Sequence, residues 1–159
     1  MIHIVTGPPG AGKNTFINAQ MRTNEMLIDL DAIYAAISNS NPHVQKNAVL
    51  LQIAMCIRSD LFGYVRKHIK SGNVWIAACM PNGRKREMFA RTFTNSKVYL
   101  IKPSKQVCLE HIRNDKRRLY PIEYAEKIVF DWYKAYTPSA KDIKVCDLFD
   151  DDKFDEKAR

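Results

Sequence analysis

The chain has 159 residues, 46% hydrophobic and 26% charged, a size that fits one domain burying roughly 68–70% of its unfolded surface. Its apolar runs break within about ten residues, short of the about 20 that a membrane-spanning helix needs, and the N-terminus enters a strand pattern without signal-peptide character. The formal net charge is +8, but residues 147–159 hold six acids against three bases, so the preceding 146 residues carry +11, a balance that raises the local concentration of polyanions such as nucleic acid.

Ile2, Ile4 and Val5 form a short apolar strand, followed by the glycine-rich stretch "GPPGAGKNT" at 7 to 15 and a helix from Lys13 to Gln20. A second strand is expected at Met26 to Leu30, a helix from about Asp31 to Ile37, and turn chemistry at "SNSNP". From Val44, Leu50, Ala54, Ile57, Leu61, Val65 and Ile69 recur at three- and four-residue spacing, and Ser71-Gly72 stops the helix they predict. "NVWIAACM" at 73 to 80 is an unbroken apolar run of the kind found in parallel strands covered on both faces. Pro81-Asn82-Gly83 then turns the chain into a basic helix. Lys97 to Ile101 repeats the strand signal, and helices are expected from Pro103-Ser104 through Ile112 and from Ile122 to Tyr136, with a weaker last strand at Ile143 to Leu148. This alternation predicts one doubly wound α/β domain over residues 1–149, about five parallel strands with helices on both faces, and an acidic tail at 150–159. Cys56, Cys79, Cys108 and Cys146 show no zinc spacing and are expected to be reduced, mostly packed thiols. The four histidines show no relay or metal spacing.

Gly7, Gly12 and Lys13 fit the phosphate-loop pattern, in the required place between strand and helix. Glycines let the backbone curl so that its N–H groups face phosphate, and the helix N-terminus adds about half a positive charge. Gly7, Pro8, Pro9, Gly10, Ala11, Gly12, Lys13, Asn14 and Thr15 are therefore the expected ATP-binding residues, with Lys13 following the transferred charge. A hydroxyl normally follows that lysine as a ligand for Mg²⁺. Here Asn14 intervenes and Thr15 supplies the hydroxyl one residue later, an order similar to the GxPGxGKGT loop of adenylate kinases. Thr15 and Asn14 are the expected metal-side residues, Asn14 through a carbonyl oxygen that binds Mg²⁺ more weakly than a carboxylate.

Asp29 and Asp31 stand at the carboxyl end of the second strand, where open α/β sheets bind ligands. On an extended segment they would face the same way, one suited to accept the proton of an alcohol and the other to position it or the metal. The local alternatives are a helix cap for Asp31 and a structural hydrogen bond for Asp29. Arg84, Lys85 and Arg86 open the helix after the third strand, where positive charge opposes the helix dipole, so a nucleic-acid backbone contact is expected there. Tyr34, Trp75, Phe89 and Phe93 fit core packing better than base stacking.

With the loop, "IDLDAIY" at 28 to 34, and "RNDKR" at 113 to 117 followed by Pro121, the chain resembles the phage polynucleotide kinase domain over roughly residues 1–137. The resemblance implies that Asp31 is the general base, that Asp29 and Tyr34 stand on the acceptor side, and that Arg113 and Arg117 belong to a lid over ATP; Lys116 and Arg118 are left as a solvated helix end. Two departures touch the acceptor: Tyr34 stands where those kinases carry an arginine, and "AACMPNG" lacks their acidic residue. The expected activity is ATP- and Mg²⁺-dependent phosphorylation of a hydroxyl on nucleic acid, DNA favoured, with no obligate protein partner. The hydroxyl is a 5′-hydroxyl or the hydroxymethyl group of a modified base, as in the similar phage 5-hydroxymethyluracil DNA kinases. The alternatives are a nucleoside or nucleotide kinase and a nucleotide-gated nucleic-acid-binding ATPase. The expected location is the cytoplasm, that of the host if phage-encoded.

Overall fold

A computed structural model describes residues 1–145. The acidic tail, Cys146 and the second half of the expected last strand lie outside the described residues. In chain order the elements are β1 (Ile2–Thr6), α1 (Lys13–Gln20), β2 (Met26–Ile28), α2 (Leu30–Ser38), α3 (Ala48–His68), β3 (Val74–Ala78), α4 (Gly83–Arg91), β4 (Ser96–Leu100), α5 (Lys105–Asn114), α6 (Ile122–Ala135) and β5 (Asp142–Lys144). The five strands are all parallel, in the order β2-β3-β1-β4-β5. Alternation along each strand divides the core. Ile2 and Ile4 of β1, with Val74 and Ile76 of β3, pack against Ile33, Val65 and Ala90 of α2, α3 and α4 and against Phe93 just after α4. Val5, Trp75 and Ala77 face the other way, against Phe16, Ile17, Cys108, Ile112 and Val129 of α1, α5 and α6. A sheet buried on both faces is why the β3 sequence reads as an unbroken apolar run.

Because β1 lies between β3 and β4, the chain leaves β1 to build one half of the sheet and crosses β1 to build the other. The loops after β1 and β3 therefore open at a topological switch point, above the carboxyl edge of the strands.

α3 departs from expectation. Its 21 residues have a mean hydropathy of 1.4 over the most apolar stretch, enough by length and composition to cross a bilayer, whereas the sequence reading placed every apolar run short of that. The averaging hides Arg58 and Asp60 in mid-helix, and the helix packs on the sheet through Leu61, Phe62 and Val65. Val49, Ile53 and Met55 remain exposed. The thiols also differ from expectation: Cys108 is buried, but Cys56 and Cys79 are exposed. Trp75 and Phe93 are core residues on opposite faces of the sheet, and Phe89 packs beside Phe93, as anticipated.

Arg86 requires a correction. Instead of contacting nucleic acid it is completely buried, with Nε and Nη2 on the two Asp142 oxygens at 3.0 and 2.5 Å. Its remaining donors reach the carbonyls of Met80, Pro81 and Thr137. The fork of five donors is what a buried junction of carbonyls and one carboxylate needs. Arg86 thus ties the loop after β3 to the segment leading into β5. Its neighbours Arg84 and Lys85 are exposed.

Candidate active site

The phosphate loop is fixed from below. Gly7 and Gly10 admit no side chain: a Cβ at Gly7 would overlap the Ile101 carbonyl, and one at Gly10, where φ is +75°, would meet the Cys108 carbonyl at 2.5 Å. Gly7, Pro8 and Ala11 are buried beneath the loop, while Pro9, Gly10, Gly12, Lys13, Asn14 and Thr15 line the cavity above it. The Lys13 ammonium donates to the carbonyls of Gly7 and Pro8 at 3.1 and 2.8 Å, so it is held back against its own loop. Asp29, Asn47, Asn82 and Ser104 cap α2, α3, α4 and α5 with side-chain oxygens. α1 has no side-chain cap and no acid in its first turn. Its leading N–H groups are left to an anion, the arrangement that helix N-termini offer to phosphate.

The cavity encloses about 850 Å³, at the upper end of ordinary ligand pockets and large enough for a nucleotide with an acceptor beside it. One wall is the acidic end of β2, and here the structure separates two residues that the sequence treats as a pair. α2 begins at Leu30, one residue before the expected start, and Asp29 is its cap, with Oδ1 accepting the Asp31 amide at 2.8 Å. Asp29 is 7% exposed, and its Oδ2 accepts the Asn14 side-chain amide at 3.0 Å. Asp31 sits in the first helical turn, half exposed and paired with Lys46 at 2.9 Å. The two carboxylates therefore do not share one facing, since only Asp29 keeps extended backbone. Both line the cavity.

Tyr34 is corrected as well. It is 3% exposed and lies outside the cavity wall; its hydroxyl accepts the Asn47 amide at 2.8 Å. It therefore anchors the start of α3 and the loop that carries Lys46. That loop crosses the cavity to the α5–α6 connection, where Val44 bridges Leu119 and the Leu119 amide donates to the His43 carbonyl at 2.9 Å.

The α5–α6 connection forms the opposite wall. Arg117 lines the cavity, holding Asp115 with Nε and Nη2 at 2.8 and 3.2 Å while staying largely exposed. Those hydrogen bonds keep the Asp115 carboxyl below its ordinary range. Arg113 does not join it: it pairs with Glu126 of α6 and lines a separate, smaller groove. Arg118, assigned by sequence to a solvated helix end, is instead in the cavity wall, 3.3 Å from Asp115 and bonded to the Tyr120 hydroxyl. Arg84 and Lys85 lie outside the cavity.

Sequence reasoning missed His43, Lys46, Arg58 and His111, all of which line the cavity. His111 Nδ1 donates to the Gly10 carbonyl at 2.8 Å, tying the phosphate loop to α5. Burial, and then the Arg118 charge, push the His43 imidazole below its ordinary value. No local pattern marks these residues, because each is brought to the cavity by packing between separate segments.

The metal side has a donor set that fits Mg²⁺, which usually keeps several waters and takes few protein oxygens beside the phosphates of its nucleotide. Thr15 offers a hydroxyl, and Asn14, whose amide nitrogen is committed to Asp29, has its carbonyl oxygen remaining. Among the described residues no group of three or more acidic, histidine or cysteine side chains forms a metal cage.

No model of a known protein family matches the chain, and no curated protein matches it. Solved structures do, at low identity. A structure of the Pnkp1/Rnl/Hen1 RNA repair complex matches 86% of this chain with a TM-score of 0.58 and 15% identity. The chain spans 46% of that protein's length. A gluconokinase structure from Sinorhizobium meliloti gives a TM-score of 0.54 at 10% identity, covering 89% of this chain and 79% of that one. Shikimate kinase from Bacteroides thetaiotaomicron gives 0.53 at 18%, covering 87% and 85%. The fold is thus that of the P-loop kinases, shared by enzymes of different acceptors.

Proposed function

We propose that this protein is an ATP-dependent kinase that transfers the γ-phosphoryl group to a hydroxyl on nucleic acid, either a 5′-hydroxyl or the hydroxymethyl group of a modified DNA base. The observation that carries the kinase reading is the uncapped N-terminus of α1 above a glycine loop whose lysine, among the described residues, is bonded to loop carbonyls, facing a wall that presents carboxylates. The nucleic-acid acceptor rests on the basic body of the chain and the exposed Arg84 and Lys85, and on the polynucleotide-kinase-like motif order.

In this reading the amides of the loop and of the first turn of α1 hold the ATP phosphates, and Lys13 leaves the Gly7 and Pro8 carbonyls to follow the transferred group. Phosphoryl transfer spreads charge on equatorial oxygens, so the protein contributes mainly position and countercharge. Arg117 leaves Asp115 to supply that charge. Asp31 accepts the proton of the attacking hydroxyl, and Lys46 balances Asp31 until the acceptor arrives. Asp29, fixed by Asn14 and the Asp31 amide, sets the distance between phosphate loop and acceptor wall. Mg²⁺, when bound, neutralises phosphate charge, with Thr15 and Asn14 as its protein-side oxygens. A base-borne hydroxyl would have to leave the duplex stack before reaching Asp31. ATP as donor fits a cytoplasmic location, in the host cell if the protein is phage-encoded, with no membrane or obligate protein partner.

The test is transfer of label from γ-labelled ATP to oligonucleotides, followed by digestion to nucleosides to find the oxygen that carries it. Label on a mononucleoside or nucleotide but on no oligonucleotide points to the small-molecule kinase instead. ATP turnover indifferent to every acceptor, with tight DNA binding, points to the ATPase module.

A further inference from the structure

The charges around the cavity leave one cation without a task. Its acids are Asp29, Asp31 and Asp115, and each is engaged: Asp29 with Asn14, Asp31 with Lys46, Asp115 with Arg117 and Arg118. Of the five basic residues in the wall, Lys13 and Arg58 alone have no carboxylate partner among the described residues. Lys13 is accounted for by the phosphate loop. The Arg58 guanidinium lies 5.8 Å from the centre of the Phe62 ring one helical turn away.

Position tells which ligand Arg58 meets. Leu51 and Arg58 both line the cavity and lie seven residues apart, two turns along one face of α3 that also buries Ala54. α3 ends at His68 and a short turn starts β3, so α3 runs back down the sheet toward the start of that strand. Arg58 is ten residues above that end, about 15 Å at the rise of a helix. The five residues of β3 climb about 17 Å. Arg58 is therefore level with the carboxyl edge of the strands, where Asp29 and Asp31 stand and where Cys79 follows the end of β3. α3 packs on α2, which starts beside Asp29 and Asp31, so Arg58 stands on the side of the cavity that those carboxylates form.

We propose that Arg58 is the acceptor-specificity residue of this kinase, its guanidinium binding a phosphodiester oxygen of the nucleic acid beside the hydroxyl to be phosphorylated. The inference rests on the kinase reading above. It also explains the Tyr34 departure: with Tyr34 buried under the loop as an anchor for Asn47, countercharge for the acceptor comes from α3. A guanidinium is suited to the task because its fork matches two phosphate oxygens at once.

The test compares a nucleoside with the same nucleoside carrying a 3′-phosphate, by calorimetric binding to the ADP-loaded protein and by KM in the transfer assay. Wild type should prefer the phosphorylated acceptor at least tenfold. Arg58→Gln should erase that preference through KM, leave the unphosphorylated nucleoside and ADP unaffected, and Arg58→Lys should restore part of it. Three results overturn the proposal while leaving the kinase reading intact: wild type indifferent to the phosphate, Arg58→Gln weakening both acceptors equally, or Arg58→Gln weakening ATP relative to ADP with discrimination retained. A carboxylate-bearing small molecule displacing the phosphorylated nucleoside in an Arg58-dependent way overturns the phosphodiester assignment. Failure of ADP itself to bind would remove the kinase reading and this inference together.

Discussion

Asn14 donates its side-chain amide to Asp29 at 3.0 Å, so the residue that replaces the usual hydroxyl of a phosphate loop is bonded to the carboxylate just after β2, two strands away in the sheet. The loop and the acceptor wall are thereby joined by one hydrogen bond between side chains fifteen residues apart. A serine at position 14 would return a hydroxyl for the metal but would be too short to keep that bond.

Asn14→Ser should therefore lower the Mg²⁺ concentration needed for half-maximal activity severalfold, because a hydroxyl directly after the lysine is the oxygen such loops usually offer the metal. Mg²⁺ titration of transfer by the two proteins measures it. An unchanged requirement contradicts a metal held through the Asn14 carbonyl.

Arg117 should dominate the rate. An arginine supplying transition-state charge is worth about 10³–10⁵ in kcat, and Arg117→Ala should lose at least the lower part of that range with little change in ATP affinity. Arg113→Ala, which removes only a pairing with Glu126, should stay near wild type. The two kcat values, measured side by side, separate a countercharge role for Arg117 from a surface one.

Arg86→Ala should unfold the domain readily. Removing one partner of a buried ion pair costs about 3–5 kcal/mol, and here four further donor contacts with Asp142 and carbonyls go with it. Urea denaturation should show that loss, while Arg84→Ala and Lys85→Ala retain stability. Equal midpoints for wild type and Arg86→Ala would show that the junction is not held by this side chain.

Glu25 gives a pH signature. Hydrogen bonds from Asn73 and Trp75, and then the Arg22 amide, hold its carboxyl at about 2, below its ordinary 4.5. Because the folded value is depressed, the stabilisation is fully present above the unfolded value and is lost as pH falls from about 4.5 through about 2. Glu25→Gln should be less stable than wild type at neutral pH, and the gap should close across that acid window. Thermal melts followed by tryptophan fluorescence report it, since the Trp75 indole donates to Glu25 at 2.7 Å.

What was legible in the sequence was what is local. The phosphate loop lies between its strand and helix within fifteen residues, and β3 announces itself by an unbroken apolar run. Asp29 and Asp31 were found, but their roles depended on where α2 starts. One residue of difference made Asp29 the cap and left Asp31 to Lys46. Arg86 was misread because its partner Asp142 lies 56 residues away, across the sheet. Next to two exposed bases it looked like part of a charged patch. Tyr34 was legible as a packed residue, but not as an anchor away from the acceptor wall, because its partner Asn47 lies past a turn. Arg58 was invisible within a helical pattern, since only the rotation of α3 against the sheet decides which of its polar residues faces the cavity.

The central claim is that the loop and the Asp31 wall together move phosphate onto a nucleic-acid hydroxyl. The most direct measurement is label transfer from γ-labelled ATP to a DNA oligonucleotide, by wild type and by Asp31→Asn, with ATP binding measured on both. The account predicts labelled oligonucleotide from wild type, a loss of at least a hundredfold in kcat for Asp31→Asn, and the same ATP affinity for the two. Undiminished transfer by Asp31→Asn, or label that goes to mononucleosides and not to the oligonucleotide, would contradict it.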